Sequence, residues 1–154
     1  MACNKSLLIV FHTQSGHTAR LARAVEAGAR LIEGVAVELV RASEASSADL
    51  MECSGLVICS PEYFGYMAGA VKDLFDRTYE EVRFHTQGKS YALVICAGND
   101  GTGALTSIKR IAAGYKFREV QEPLICRGAP TVPVIDACRN LGETMAAGLD
   151  FGIF

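Results

Sequence analysis

Short, continuously apolar runs alternate along the chain with longer stretches in which apolar residues recur every three to four positions. Unbroken apolar runs are typical of strands covered on both faces, and the longer spacing is typical of amphipathic helices. The pattern predicts strands at 6–11, 35–40, 55–59, 91–96 and 118–126, and helices at 18–32, 46–52, 68–81, 104–115 and 134–149. Five successive strand–helix units predict an α/β fold, a parallel sheet with helices on both faces.

The composition of each predicted strand indicates its place in the sheet. The runs at 6–11, 55–59 and 91–96 are unbroken and suit central positions. Glu38 lies in the second strand, and Pro123, which has no N–H group to donate to a neighbour, lies in the fifth. Edge positions for those two strands give the order 2-1-3-4-5 of a doubly wound, five-stranded parallel sheet.

Length and charge limit the organisation of the chain and its partners. A chain of 154 residues, half of them hydrophobic, suits one domain spanning 1–154. The net charge of −2 favours neither nucleic acid nor an anionic membrane as a partner. No apolar run approaches the roughly 18 residues of a membrane span. The first eleven residues lack the cleavage site of a signal peptide, so we expect a cytoplasmic protein.

Cysteine and histidine spacing indicates neither disulfides nor a metal site. No C-x-x-C pair occurs, and most cysteines lie in apolar segments, which favours buried free thiols in a reducing compartment. The three histidines do not show metal-ligand spacing, so no metal is predicted. The six cysteines are at positions 3, 53, 59, 96, 126 and 138.

Candidate chemistry lies in the loops that follow the central strands. In an open parallel sheet, ligands bind beyond the carboxyl ends of the strands, where the winding reverses. The order 2-1-3-4-5 places that point between the first and third strands. The loops concerned are 12–17, 60–67 and 97–103.

The first of these loops predicts a phosphate site. It reads T-Q-S-G-H-T at 13–18, between a strand and a helix. A glycine allows a tight turn, the helix start offers unpaired N–H groups, and three hydroxyls can converge there. The loop contains no Lys or Arg, which suits a permanently bound monophosphate better than one that is transferred.

These residues resemble a known family. The 13–18 loop fits the [TS]-x-[TS]-G-x-T phosphate loop of flavodoxin-like FMN proteins at every fixed position. The segment 60–65, S-P-E-Y-F-G, is similar to the second flavin loop of the related NAD(P)H-dependent FMN and quinone reductases. The segment 97–101 stands where the family has its third loop. The resemblance covers nearly the whole chain and implies a flavodoxin-like fold with non-covalently bound FMN.

The resemblance also implies roles for individual residues. Hydroxyls and backbone groups of the first loop bind the FMN phosphate, and the second and third loops flank the isoalloxazine ring. Which of Tyr63, Phe64 and Tyr66 stacks on the ring stays open. No acid or base residue is expected, and His12, His17 and Asp100 are expected only as neighbours of the ring. The implied cofactor-binding residues are Thr13, Gln14, Ser15, Gly16, His17, Thr18, Pro61, Glu62, Tyr63, Phe64, Gly65, Gly98, Asn99 and Asp100.

Two functions for an FMN protein, and one without flavin, fit the sequence. The resemblance favours an oxidoreductase that passes hydride or electrons from NAD(P)H through FMN to a quinone, a flavin or a similar small acceptor. The alternative is an electron carrier that docks on protein partners. Such carriers are usually strongly acidic, and a net charge of −2 argues modestly against this reading. A binding protein without flavin also stays open. So does FAD as the cofactor in place of FMN. The apolar tail 151–154 leaves a homo-oligomer open as well.

Overall fold

Strands and helices alternate along the chain in the computed structural model, which describes residues 4–154. Cys3 lies outside the described residues. The strands are β1 (Ser6–Phe11), β2 (Ala36–Arg41), β3 (Gly55–Tyr63), β4 (Tyr66–Met67), β5 (Ser90–Ala97), β6 (Arg118–Glu119) and β7 (Leu124–Arg127). The helices are α1 (His17–Ala29), α2 (Ser47–Glu52), α3 (Gly69–Val82), α4 (Thr102–Gly114) and α5 (Val132–Asp150).

The sheet has the predicted doubly wound order. β1 pairs with β2 on one side and with β3 on the other, β3 pairs in turn with β5, and every one of these pairings is parallel. The last strand position, beside β5, is shared by β6 and β7. Strand order therefore confirms the fold predicted from the apolar runs.

The predicted count of five strands is wrong in two places. The fifth strand, expected at 118–126, is divided into β6 and β7 by a segment that includes Pro123, which cannot donate to β5. Within that segment the Gln121 side-chain amide donates to the carbonyl oxygen of Leu141 on α5. The other difference is β4, which folds back antiparallel on the end of β3 as a hairpin. The sheet has seven strands among the described residues.

Two hydrophobic layers, one on each face of the sheet, explain the unbroken apolar strands. Alternate residues of β1, such as Leu8 and Val10, pack with α3 and α4, whereas Leu7 and Ile9 pack with α1 and α5. All four side chains are at most 2% exposed. A strand covered on both faces needs apolar residues at every position, so its sequence loses the alternation typical of a half-exposed strand.

Five of the cysteines are buried free thiols, at positions 53, 59, 96, 126 and 138. Within residues 4–154, no helix combines the length and apolar character needed to cross a lipid bilayer. The same part of the chain contains no group of three or more His, Cys, Asp or Glu side chains placed to hold a metal ion.

Candidate functional site

The carboxyl ends of β1, β3, β5 and β7 meet at one edge of the sheet and surround an open cleft of about 320 Å³, which we call the sheet-edge cleft. Its position is the one predicted from the strand order, where the winding reverses. The cleft is lined by Gln14, Ser15, His17, Thr18, Pro61, Glu62, Tyr63, Cys96, Ala97, Gly98 and Gly128.

The loop between β1 and α1 leaves the start of α1 without a side-chain cap. Gly16 has a φ of +93°, a conformation in which a side chain is strained, and this turns the chain into the helix. The Thr13 hydroxyl accepts from the Gly16 N–H at 3.0 Å, and the Ser15 hydroxyl is 3.4 Å from the His17 nitrogen. First-turn N–H groups of an uncapped helix start, with hydroxyls beside them, are suited to bind an anion.

At the start of α2, by contrast, the chain's own side chains occupy N–H groups at the helix start. The Ser46 hydroxyl accepts from the Asp49 N–H, and the Asp49 carboxylate accepts from the Ser46 N–H. This reciprocal pair is a capping box, which occupies donors that α1 leaves available. α3, α4 and α5 also begin without a side-chain hydrogen bond from the N-cap residue, so what distinguishes the start of α1 is its place in the lining of the sheet-edge cleft.

The β3–β4 hairpin forms the opposite wall of the cleft and is fixed to α4 by three contacts. The Glu62 carboxylate accepts from the Ala104 N–H at 3.0 Å, and the Ser107 hydroxyl accepts from the Met67 N–H at 3.1 Å. Gly103 lies so close that a Cβ atom there would be 1.9 Å from the Gly65 carbonyl oxygen. Because the hairpin and α4 are about 40 residues apart in the chain, these tertiary contacts are what hold the hairpin against the start of α4.

Three aromatic residues of the hairpin, which the sequence could not distinguish, have different positions. Tyr63 lines the sheet-edge cleft, and its ring lies edge-on to His12 with the ring centres 5.9 Å apart. Phe64, at the hairpin turn with a φ of +52°, is fully exposed. Tyr66 is 44% exposed and lies outside the cleft. Of the three, Tyr63 is therefore the one placed to contact a ligand in the cleft.

Burial shifts the pKa values of Tyr63 and His12, the two rings in contact beside the cleft. It raises the pKa of the Tyr63 hydroxyl above its usual value, so Tyr63 is a neutral hydrogen-bonding group. Burial, with the positive charge of Arg41 as the second cause, lowers the pKa of His12. His12 is thus mainly neutral at physiological pH, and its ring contact positions Tyr63.

The loop after β5 contributes less to the cleft than the resemblance implies. Gly98 lines the cleft, whereas Asn99 and Asp100 are exposed outside its lining. The Asp100 carboxylate accepts from the N–H of Thr102 at 3.0 Å and from its hydroxyl at 2.9 Å, and these bonds lower the pKa of Asp100. Asp100 stabilises the start of α4 in this structure, and its contact with a ligand stays a prediction, as does that of Asn99.

Residues 96, 97 and 128 line the cleft without having been assigned from the sequence. Cys96 on β5 and Cys126 on β7 are directly paired in register, and both thiols lie against the Gly128 carbonyl oxygen, at 3.7 and 3.5 Å. Burial raises the pKa of Cys96 to about 11, so this thiol is uncharged at neutral pH. The sequence R-G-A-P at 127–130 is the feature from which Gly128 could have been predicted to line the cleft, because β7 ends at the same edge of the sheet as the central strands.

Of the fourteen residues implied by the resemblance, eight line the sheet-edge cleft: Gln14, Ser15, His17, Thr18, Pro61, Glu62, Tyr63 and Gly98. Thr13 and Gly16 shape the first loop from behind this lining. Phe64 and Gly65 form the hairpin turn. The contacts of all fourteen with a cofactor remain predictions.

Comparison with known proteins adds independent information. The sequence model of the NADPH-dependent FMN reductase family matches residues 36–125. A flavodoxin of Aquifex aeolicus (strain VF5) is 30% identical over 91% of this chain and 84% of its own length. An NAD(P)H dehydrogenase (quinone) of Acidithiobacillus ferrooxidans is 28% identical over 47% of this chain and 46% of its own.

Comparison of structures agrees with the sequence comparisons. A flavodoxin from the domain Archaea superposes with a TM-score of 0.84 at 22% identity, covering 94% of this chain and 98% of the other. This similarity confirms the predicted flavodoxin-like fold.

Proposed function

This chain belongs to the NADPH-dependent FMN reductase family, with FMN as its cofactor, and from that premise we propose that it is an enzyme that transfers hydride from NAD(P)H through FMN to a small acceptor. The observation that carries this proposal is the 36–125 family match, because this segment includes the β3–β4 hairpin that forms one wall of the sheet-edge cleft. A quinone or a free flavin is the class of acceptor that suits such a reaction. When bound, FMN supplies the hydride and electron chemistry.

The structure fits the phosphate of FMN at the start of α1. The helix start lacks a side-chain cap, and the cleft lining within the described residues contains no Lys or Arg. N–H groups of the first turn and the hydroxyls of Ser15 and Thr18 would therefore hold the anion. Such a site binds through oriented dipoles.

The hairpin and the loop after β5 would hold the ring of FMN between them. Tyr63 offers the aromatic face, and backbone groups at Pro61, Glu62 and Gly98 offer donors and acceptors to the ring edge. Because the Glu62 carboxylate accepts from the Ala104 N–H, it positions the hairpin. The role of the chain is to orient the ring and to exclude water from one side of it.

An electron carrier is the second candidate, and one specific observation favours it. The Aquifex aeolicus relative, named a flavodoxin, matches 91% of this chain. The net charge of −2 gives little of the acidic field that steers a carrier to a basic partner, which supports the reductase instead.

Anaerobic reduction distinguishes the two functions. FMN-loaded protein is mixed with NADPH or NADH, and the visible absorbance of oxidised flavin is followed over time. Loss of the absorbance within minutes, at a rate that saturates with nicotinamide concentration, is the result expected for the reductase. Flavin that dithionite reduces but that neither nicotinamide reduces would identify a carrier and overturn the proposal.

A further inference from the structure

A second cleft, of about 480 Å³, lies between the hairpin turn, α3 and α4. We call it the α4 cleft. Its volume is in the range of small-molecule sites. It is lined by Gly65, Tyr66, Lys72, Thr102, Gly103, Thr106, Ser107, Arg110 and Ile111.

The α4 cleft has a positive charge that the sheet-edge cleft lacks. Lys72 and Arg110 line it, and no Asp or Glu is among its described lining residues. The Lys72 ammonium donates to both oxygens of the Asp76 carboxylate, at 2.6 and 2.7 Å, and Asp76 lies outside the lining of the cleft. The Arg110 guanidinium makes no hydrogen bond or ion pair within residues 4–154, so all its donors are available to a ligand.

The remaining lining residues suit a phosphorylated aromatic group. The Tyr66 ring is 44% exposed and offers a flat face. The Thr106 hydroxyl is without a partner among the described residues and lies one helical turn from Arg110 on α4. A planar guanidinium binds phosphate oxygens in pairs, and an aromatic ring binds a base. Together these groups match a phosphorylated nucleoside.

The two clefts meet at the hairpin, because each has hairpin residues in its lining. Tyr63 and Tyr66 are directly paired between β3 and β4, and Tyr63 lines the sheet-edge cleft whereas Tyr66 lines the α4 cleft. Directly paired residues of an antiparallel hairpin lie about 5 Å apart, so one extended ligand can contact both clefts. A dinucleotide has the required form, with a reactive ring at one end and a phosphorylated adenosine at the other.

We propose that the α4 cleft binds the 2′-phosphoadenosine end of NADPH, with the Arg110 guanidinium on the 2′-phosphate and Tyr66 beside the adenine. This inference rests on the proposed function, because it gives the nicotinamide donor a binding site. NADH lacks the 2′-phosphate and leaves Arg110 without its partner. The α4 cleft is therefore the determinant that selects NADPH.

Direct titration with 2′,5′-ADP, which carries the 2′-phosphate but no nicotinamide, tests the site separately from any reaction. FMN-loaded protein is titrated calorimetrically with 2′,5′-ADP and, for comparison, with 5′-AMP. Arg110→Gln is expected to weaken binding of 2′,5′-ADP by about tenfold or more and to leave 5′-AMP unchanged. The matched control is Lys109→Gln, which removes the same charge one residue away, from a side chain paired with Glu119 outside the α4 cleft.

The same variants are then compared in anaerobic flavin reduction. Arg110→Gln is expected to lower the rate with limiting NADPH and to leave the rate with NADH unchanged, whereas Lys109→Gln changes neither. Failure of wild-type protein to bind 2′,5′-ADP, or equal affinity in wild type and Arg110→Gln, overturns the α4 cleft proposal even if NADPH reduces the flavin. Arg110-dependent binding of 2′,5′-ADP without reduction by either nicotinamide supports the cleft and overturns the reductase.

Discussion

Replacing Gly103 by alanine tests whether contact between α4 and the β3–β4 hairpin holds the proposed cofactor site together. The added Cβ atom would lie 1.9 Å from the Gly65 carbonyl oxygen and 2.5 Å from its carbon. Real Cβ contacts essentially never fall below 3.0 Å, and both partners here are backbone. The hairpin turn must therefore move away from α4 by more than about 1 Å.

The hydrogen bonds beside Gly103 give the size of the effect. Displacing the hairpin lengthens the bond from the Ala104 N–H to the Glu62 carboxylate and the bond from the Met67 N–H to the Ser107 hydroxyl. Bonds to a charged group contribute about 1.5–3 kcal/mol and neutral ones about 0.5–1.5 kcal/mol. Alanine is favoured over glycine inside a helix by about 1 kcal/mol, which offsets part of the loss. A net loss of about 1–3 kcal/mol is expected.

FMN affinity and unfolding separate a local effect from a global one. Because Glu62 and Tyr63 line the sheet-edge cleft, Gly103→Ala is expected to raise the dissociation constant of FMN by about tenfold or more, measured by the fluorescence change of FMN on binding. The chain has no tryptophan, so urea unfolding is followed by circular dichroism. The urea midpoint of the apoprotein is expected to fall.

Gly114 provides the matched control, since it also lies in α4 and a Cβ there meets no atom within 4 Å. Gly114→Ala is expected to raise the urea midpoint slightly and to leave FMN affinity unchanged. If Gly103→Ala bound FMN as wild type does and unfolded at the same urea concentration, the hairpin would not depend on its contact with α4. The inference that contacts with α4 hold the hairpin in place at the sheet-edge cleft would then be wrong.

Other predictions concern the phosphate loop, the end of α5 and the buried thiols. The double variant Ser15→Ala with Thr18→Ala is expected to weaken FMN binding by at least about tenfold, because each hydroxyl bond to a charged phosphate is worth about 1.5–3 kcal/mol. Ser43→Ala, at an exposed position, is the control, and unchanged FMN affinity in the double variant would exclude the phosphate assignment. Lys5→Met is expected to lower the free energy of unfolding by about 1–2 kcal/mol, because the Lys5 ammonium donates to the carbonyl oxygens of Leu149 and Asp150 at the end of α5; an unchanged urea midpoint would contradict this. Burial raises the pKa of Cys53 and Cys96 from 9.0 to about 11, so on raising the pH the unfolded chain loses these thiol protons before the folded chain does. The folding stability present below pH 9 is therefore expected to fall as the pH rises towards 11. Urea midpoints that stay level over this pH interval would contradict the prediction.

Much of the sheet-edge cleft could be predicted from local sequence alone. The loop at 13–18 combines a glycine, three hydroxyls and a helix start within six residues, so its shape depends on neighbours in the chain. The hairpin wall is different, because Glu62 is fixed by the N–H of Ala104, 42 residues later. No local pattern reports a partner at that distance.

The apolar pattern along the chain, with Glu38 and Pro123 marking the edge strands, determined the layers, the strand order and the edge of the sheet at which the candidate cleft lies. Strands covered on both faces, such as β1, β3 and β5, need apolar residues at nearly every position, whereas edge strands tolerate polar residues and proline. Tertiary structure alone decided the division into β6 and β7, the hairpin with β4, and the choice of Tyr63 over Phe64 as the ring that lines the cleft. Those features depend on hydrogen bonds and close approaches between elements far apart in sequence, and the type of a residue does not specify which distant backbone group it will meet.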